Sequence, residues 1–254
     1  EHRPKILAMV HAETSTGVCQ PMDGIGDLCR ANDCLLLLDT VTSLGGVPLF
    51  LDEWKVDLAY SCSQKGLSCP PGLGPFTMGP RAEAKMMARQ GKVPNWYLDV
   101  TLLNQYWGSD RVYHHTAPVN MNFGMREALR LLAEEGLEAA WARHRTNAER
   151  LWAGLERLGL ALHVPAELRL PTLTTVRIPE GVDGKAFSLH LLNKHGIEVG
   201  GGLGALAGKV WRIGLMGYNS QSANVDRLLN LLEEELPAFR TASASQQTPQ
   251  VVAV

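Results

Sequence analysis

The sequence predicts an α/β protein, a mostly parallel sheet with flanking helices followed by a smaller C-terminal α+β domain. Two observations carry this expectation. Leu35–Leu38 is an apolar run without the alternation of a half-exposed strand, so it reads as a strand covered on both faces of a parallel sheet and closed by Asp39. Ahead of it, Ile6–Val10 reads as a short strand, and Ile25, Leu28 and Cys29 recur at helical spacing behind Asp23, a residue type that caps helices. Strand, helix, strand with a short return is a crossover unit, and such units are almost always right-handed.

The remaining elements follow in chain order. The loop HAETSTG after the first strand offers hydroxyls and amides to a ligand. Leu58–Tyr60 reads as a strand beside Leu35–Leu38. The Pro- and Gly-dense stretch SCPPGLGPFTMGPRAEAKMM suits tight turns, an edge strand and a helix start. From Met125 to Gly159, Leu129, Leu132, Leu137, Trp141, Leu151, Trp152 and Leu155 keep helical spacing, with Gly136 as the stop between two helices. That stop divides a large domain, 1–136, from a small one, 137–240. The small domain is expected to hold a strand in LTTVRIP, a helix around Lys185–His195, the segments IEVGGG and KVWRIGL, and a last helix from Gln221 to Leu236. TASASQQTPQVVAV has no helical period and reads as a mobile tail, 241–254. At the other end, EHRPKILAMV enters a strand at once with neither an initiator methionine nor a targeting segment, so the chain reads as lacking an N-terminal portion.

Composition narrows the partners. The chain has 254 residues, 45% of them hydrophobic, which is ample for a real core. Its 24 Lys and Arg nearly cancel 26 Asp and Glu, leaving no global basic field for nucleic acid or an acidic membrane surface. No apolar run approaches the length of a bilayer span. The five cysteines lack a Cys-x-x-Cys pair and mostly sit in or beside apolar segments, which points to reduced, buried thiols.

Asp39 and Lys65 each stand just past a buried apolar run. Ligands of open α/β sheets bind at the carboxyl ends of the strands, so both residues are expected on one rim, facing one crevice. Taken singly, Asp39 is also a good turn or cap residue, and Lys65 an ordinary loop lysine. Together they match the needs of pyridoxal phosphate, whose aldehyde takes a lysine amine and whose pyridine nitrogen takes a carboxylate. In VWRIGL, Arg212 carries a planar fork suited to a carboxylate, although strand spacing alone favours an ordinary arginine with its head group in water. GGGLG at Gly200–Gly204 lacks phosphate-loop spacing and reads as a turn or a close backbone approach. His114 and His115 are adjacent and have no evident third ligand, so no metal site is expected. Tyr113 and Thr116 flank that pair with hydroxyls of the kind a phosphate needs.

With these residues assembled, the chain resembles the alanine:glyoxylate aminotransferases, also called serine:pyruvate aminotransferases, among the fold-type I pyridoxal-phosphate enzymes. STGVCQPMDGIGDLC, LLLLDTVTSLGG, YSCSQKG, CPPG, VYHHTAPV, LRLPTLTTV and GKVWRIGLMG carry the likeness, which runs from about Lys5 to Phe239. The resemblance implies transfer of an amino group from L-alanine or L-serine to glyoxylate or pyruvate. It implies that Lys65 forms the Schiff base, Asp39 holds the pyridine nitrogen, Val41 packs under the ring and Gln64 helps bind the phosphate. Tyr113 and Thr116 would reach the partner's cofactor across a homodimer interface, and Arg212 would grip the substrate carboxylate. Thr14 stands where relatives usually have serine beside the cofactor. The family's N-terminal part, with its phosphate loop, stacking aromatic and dimer arm, has no counterpart here, so this chain alone is expected to bind cofactor weakly or not at all. An intracellular location follows from the resemblance, peroxisomal or mitochondrial, but the terminal Val-Ala-Val departs from the basic-leucine tripeptide of peroxisomal relatives.

Two rivals stand beside this reading. A cysteine desulfurase would share the lysine and aspartate but needs a catalytic cysteine on a mobile loop, and Cys62 and Cys69 bracket Lys65 without one. The other rival is a catalytically silent chain acting as a dimerising or regulatory piece.

Overall fold

The computed structural model describes residues 2–240, so the expected tail at 241–254 lies outside the described residues. Among the described residues the elements are β1 (Ile6–Val10), β2 (Ala12–Glu13), β3 (Val18–Cys19), α1 (Ile25–Ala31), β4 (Leu35–Asp39), β5 (Leu58–Tyr60), β6 (Phe76–Met78), α2 (Pro80–Met87), α3 (Val100–Trp107), α4 (Val119–Glu135), α5 (Leu137–Arg157), β7 (Leu173–Arg177), α6 (Gly184–His195), β8 (Gly200–Gly201), β9 (Val210–Gly214) and α7 (Ser222–Glu235). Among the described residues they form two compact units, one of residues 2–13, 19–142 and 216–218, the other of 14–18, 143–215 and 219–240. The units divide after Ala142, within α5, whereas the sequence places the boundary at the α4–α5 break.

The first unit is built on a four-stranded sheet in the order β1-β4-β5-β6. β1, β4 and β5 run parallel and β6 closes the edge antiparallel, as the Pro-rich flank of that strand led one to expect. On one face Leu36 and Leu38 are fully buried and pack with Cys29, Cys34, Met22 and Ala59, while on the other Leu35 is buried and Leu37 half-buried. One expectation fails at α1. Asp23 does not cap it; the chain enters the helix through Gly24 at φ 76°, a left-handed turn that glycine adopts without strain, and Leu28 faces outward at 64% exposure. Helix α3 was not anticipated, although Asp99 caps it by accepting the Thr101 N–H at 3.0 Å.

An ion pair with a buried carboxylate ties the strand starts to α2. Asp57, 3% exposed, accepts the Leu36 N–H at 2.8 Å and Arg81 Nη1 at 3.0 and 2.9 Å, while Arg81 Nη2 reaches the Cys34 carbonyl at 3.2 Å. Both carboxylate oxygens are thereby satisfied away from water.

The second unit has an antiparallel sheet in the order β7-β9-β8. Its core joins Val176, Trp211 and Ile213 of the sheet to Leu155 of α5, Phe187 of α6 and Leu228 of α7. Its buried indoles are satisfied, Trp152 Nε1 by Thr174 Oγ1 at 2.8 Å and Trp211 Nε1 by the Gly184 carbonyl at 3.0 Å. All five cysteines are free thiols, and among the described residues no helix is long and apolar enough to cross a membrane.

Removing the partner of a buried charge leaves that charge uncompensated. Arg81→Ala, which leaves the buried Asp57 carboxylate without its cation, should therefore cost about 3 kcal/mol or more in urea unfolding. Lys85→Ala, which breaks the exposed pair with Asp33, should cost less than about 1 kcal/mol.

Candidate active site

The rim of the first unit's sheet is set by register. Asp39 is the last residue of β4 and pairs with Val10 of β1 and Tyr60 of β5. Beyond the ladder, Thr40 N and Thr40 Oγ1 both donate to the Tyr60 carbonyl, at 2.9 and 2.8 Å, and Ser61 Oγ donates to the Thr40 carbonyl at 3.0 Å. The two strand ends are thus locked together where they leave the sheet.

Asp39 is half-buried and held on both oxygens. Val41 N–H donates to Oδ1 at 2.8 Å, a two-residue aspartate turn, and the Tyr60 hydroxyl donates to Oδ2 at 2.6 Å. The hydrogen bond to Asp39, reinforced by desolvation, pushes the Tyr60 hydroxyl up to about 12, so it remains a donor at any ordinary pH. Tyr60 was not singled out from sequence; its place across the rung from Asp39 is the signal that could have found it.

Lys65 follows a loop fixed by buried Ser63, whose Oγ donates to the Pro70 carbonyl at 2.7 Å and accepts the Leu73 N–H at 3.3 Å. The next residue brings Lys65 to the Asp39 side. A Cβ on Gly66 would lie 2.2 Å from the Leu44 carbonyl oxygen, so the Lys65 loop packs directly on the loop that begins at Asp39, and only glycine allows it. Lys65 is half-buried, and among the described residues no hydrogen bond or ion pair engages its Nζ. Val41 is half-buried beside Asp39 and Gln64 is exposed beside Lys65.

Elsewhere in this unit, Tyr113 Oη and Thr116 Oγ1 stand 3.1 Å apart, both exposed. Buried His114 braces them, stacked on Trp96 at 4.0 Å with Nε2 3.0 Å from the Trp96 carbonyl and Nδ1 2.8 Å from His115 Nδ1. A carbonyl only accepts, so neutral His114 is protonated on Nε2 and accepts the His115 Nδ1 proton.

Thr14 and Arg212 belong to the second unit and meet there. Arg212 Nε donates to the Gly201 carbonyl at 2.7 Å and Nη1 to the Thr14 carbonyl at 3.1 Å. Arg212 is half-buried as a whole residue. It is oriented by backbone oxygens, with further N–H donors left for an anion.

This donor set fits pyridoxal phosphate. A carboxylate with two fixed donors keeps lone pairs for a protonated ring nitrogen, an unengaged amine stands on the adjoining loop, and two hydroxyls lie close together. It does not fit a thiol nucleophile, since Cys69 is buried and Cys62 Sγ is half-buried, 4.0 Å from the Val41 carbonyl.

Comparisons with known proteins agree. Residues 1–228 match the family model for class-V aminotransferases. The alanine–glyoxylate aminotransferase of Oryctolagus cuniculus is 48% identical over 241 residues, covering 93% of this chain and 61% of that protein. The (S)-ureidoglycine–glyoxylate transaminase of Bacillus subtilis is 40% identical over 252 residues, covering 92% of the chain and 61% of its own length. The crystal structure of the alanine–glyoxylate aminotransferase from Nostoc sp. superposes with a TM-score of 0.89 at 66% identity, over 91% of this chain and 62% of that one. The chain thus spans about three fifths of each.

The raised Tyr60 value has a measurable sign. Its contact with Asp39 contributes stability fully below the ordinary tyrosine value of about 10 and loses it as pH rises through about 12. In an ultraviolet titration, Asp39→Asn should bring the latest tyrosine step to lower pH, and Tyr60→Phe should delete it.

Proposed function

The chain belongs to the class-V aminotransferase family, and on that premise we propose that the protein moves an amino group from L-alanine or L-serine to glyoxylate or pyruvate. Class-V aminotransferases use pyridoxal phosphate. When bound, that cofactor supplies an aldehyde that captures the amino group and a protonated ring that accepts the electron pair released at the substrate Cα.

The residues then have separable tasks. Asp39, oriented by the Val41 N–H and the Tyr60 hydroxyl, accepts from the ring N–H and keeps the proton on that nitrogen. Lys65 would hold the aldehyde at rest and, as a free amine, would be the general base for the Cα proton, because its tether keeps it within reach. Val41 would support the ring. Gln64 with Tyr113 and Thr116 donates to the phosphate, the last two across a homodimer interface. Thr14 contributes its hydroxyl beside the cofactor, and Arg212 binds the substrate carboxylate with the donors that Gly201 and Thr14 leave over. The peroxisome is the proposed compartment, with the mitochondrion as the alternative.

The observation that carries this reading is the unengaged Lys65 amine packed, through Gly66, on the loop of a doubly anchored Asp39. Lys65→Ala should abolish transamination between L-alanine and glyoxylate; normal turnover by that variant would overturn the reading. Arg212→Ala should raise KM for L-alanine by roughly 10- to 100-fold, since a hydrogen bond to a charged group contributes about 1.5–3 kcal/mol.

A further inference from the structure

In the second unit, one carboxylate gathers three nitrogen groups. Glu235, the last residue of α7, accepts from His195 Nε2 and Lys194 Nζ, each at 2.9 Å, and also contacts His190 Nε2. His190 and His195 both lie on α6. One donor atom from each histidine and from Glu235 fall within 4.8 Å of one another. The side chains are 28%, 18% and 17% exposed, neither sealed in the core nor loose in solvent. Arg227 Nη2 donates to the His195 carbonyl at 2.7 Å and fixes the end of α6.

We propose that His190, His195 and Glu235 form a binding site for a divalent transition metal of the zinc class. Two imidazoles and one carboxylate, with a fourth position left for water, is a ligand set that zinc takes in open sites. Imidazole selects against magnesium and calcium, which prefer oxygen. Bonds of about 2.0–2.2 Å need neighbouring ligand atoms roughly 3.3 Å apart, so the trio closes by about 1.5 Å at most, within reach of rotamer adjustment in partly exposed side chains. On binding, the protons that the Nε2 atoms share with Glu235 move to Nδ1 or to solvent, and the two nitrogens turn their lone pairs to the ion.

Lys194 is the resident competitor, because its ammonium occupies Glu235 Oε1. An ion here ties the end of α6 to the end of α7 and stabilises this unit by mass action. Sequence reasoning misses the site because His190 and His195 are not at a same-face helical spacing and Glu235 lies 40 residues beyond His195.

Calorimetric titration of the protein with zinc chloride, and separately with magnesium chloride, tests this. Zinc should bind one to one and raise the melting temperature, and magnesium should give no heat. His190→Ala and Glu235→Gln, each shown folded by circular dichroism, should weaken zinc binding at least tenfold, whereas Lys194→Met should tighten it. His195→Gln serves where either variant fails to fold. Absence of zinc binding, or binding unchanged in the folded variants, overturns the proposal.

Discussion

The parallel register of β4 between β1 and β5 is the constraint on which the proposed chemistry depends. It exists because Leu36 and Leu38 share one fully buried face of β4, and a slip by one residue would turn both away from that core. Once the register is set, the last rung puts Asp39 across from Tyr60, and the hydroxyl meets the carboxylate at 2.6 Å. Asp57 and Arg81 hold the opposite ends of the same strands through Leu36 and Cys34, so the sheet is pinned at both margins.

From that rung the rest of the first unit's site is built by loops that cannot drift. The aspartate turn at Val41 and the paired bonds from Thr40 to Tyr60 direct one loop. Ser63 directs the other, and Gly66 lets the two backbones touch. The Asp39 carboxylate, held on both oxygens, is fixed in the way that electrostatic preorganisation requires. In the second unit the same principle appears in Arg212, whose fork is aimed by backbone carbonyls rather than by another charge.

Much of this was legible in the sequence, for identifiable reasons. Leu35–Leu38 announced a strand buried on both faces by lacking alternation, and Asp39 announced its end. The α4–α5 break was readable because Gly136 interrupts a long helical period. Asp23 misled because capping propensity is local, while the left-handed turn at Gly24 supplies the helix entry instead. Tyr60, His114 and the oriented head group of Arg212 were not readable, since each depends on a partner from another strand or loop: Asp39 across the rung, Trp96 under the imidazole, and the Gly201 and Thr14 carbonyls. Periodicity reports which face a residue occupies but not which atom it meets there. The family likeness gave roles to Val41, Gln64 and Thr14 that neither spacing nor composition carried.

The central claim is that Lys65 is the cofactor-bearing amine of the sheet rim. Incubation of the protein with pyridoxal phosphate, borohydride reduction and peptide mapping by mass spectrometry reads this directly. The account predicts one dominant adduct, on the peptide containing Lys65. Dominant labelling of another lysine, with Lys65 unmodified, would contradict it.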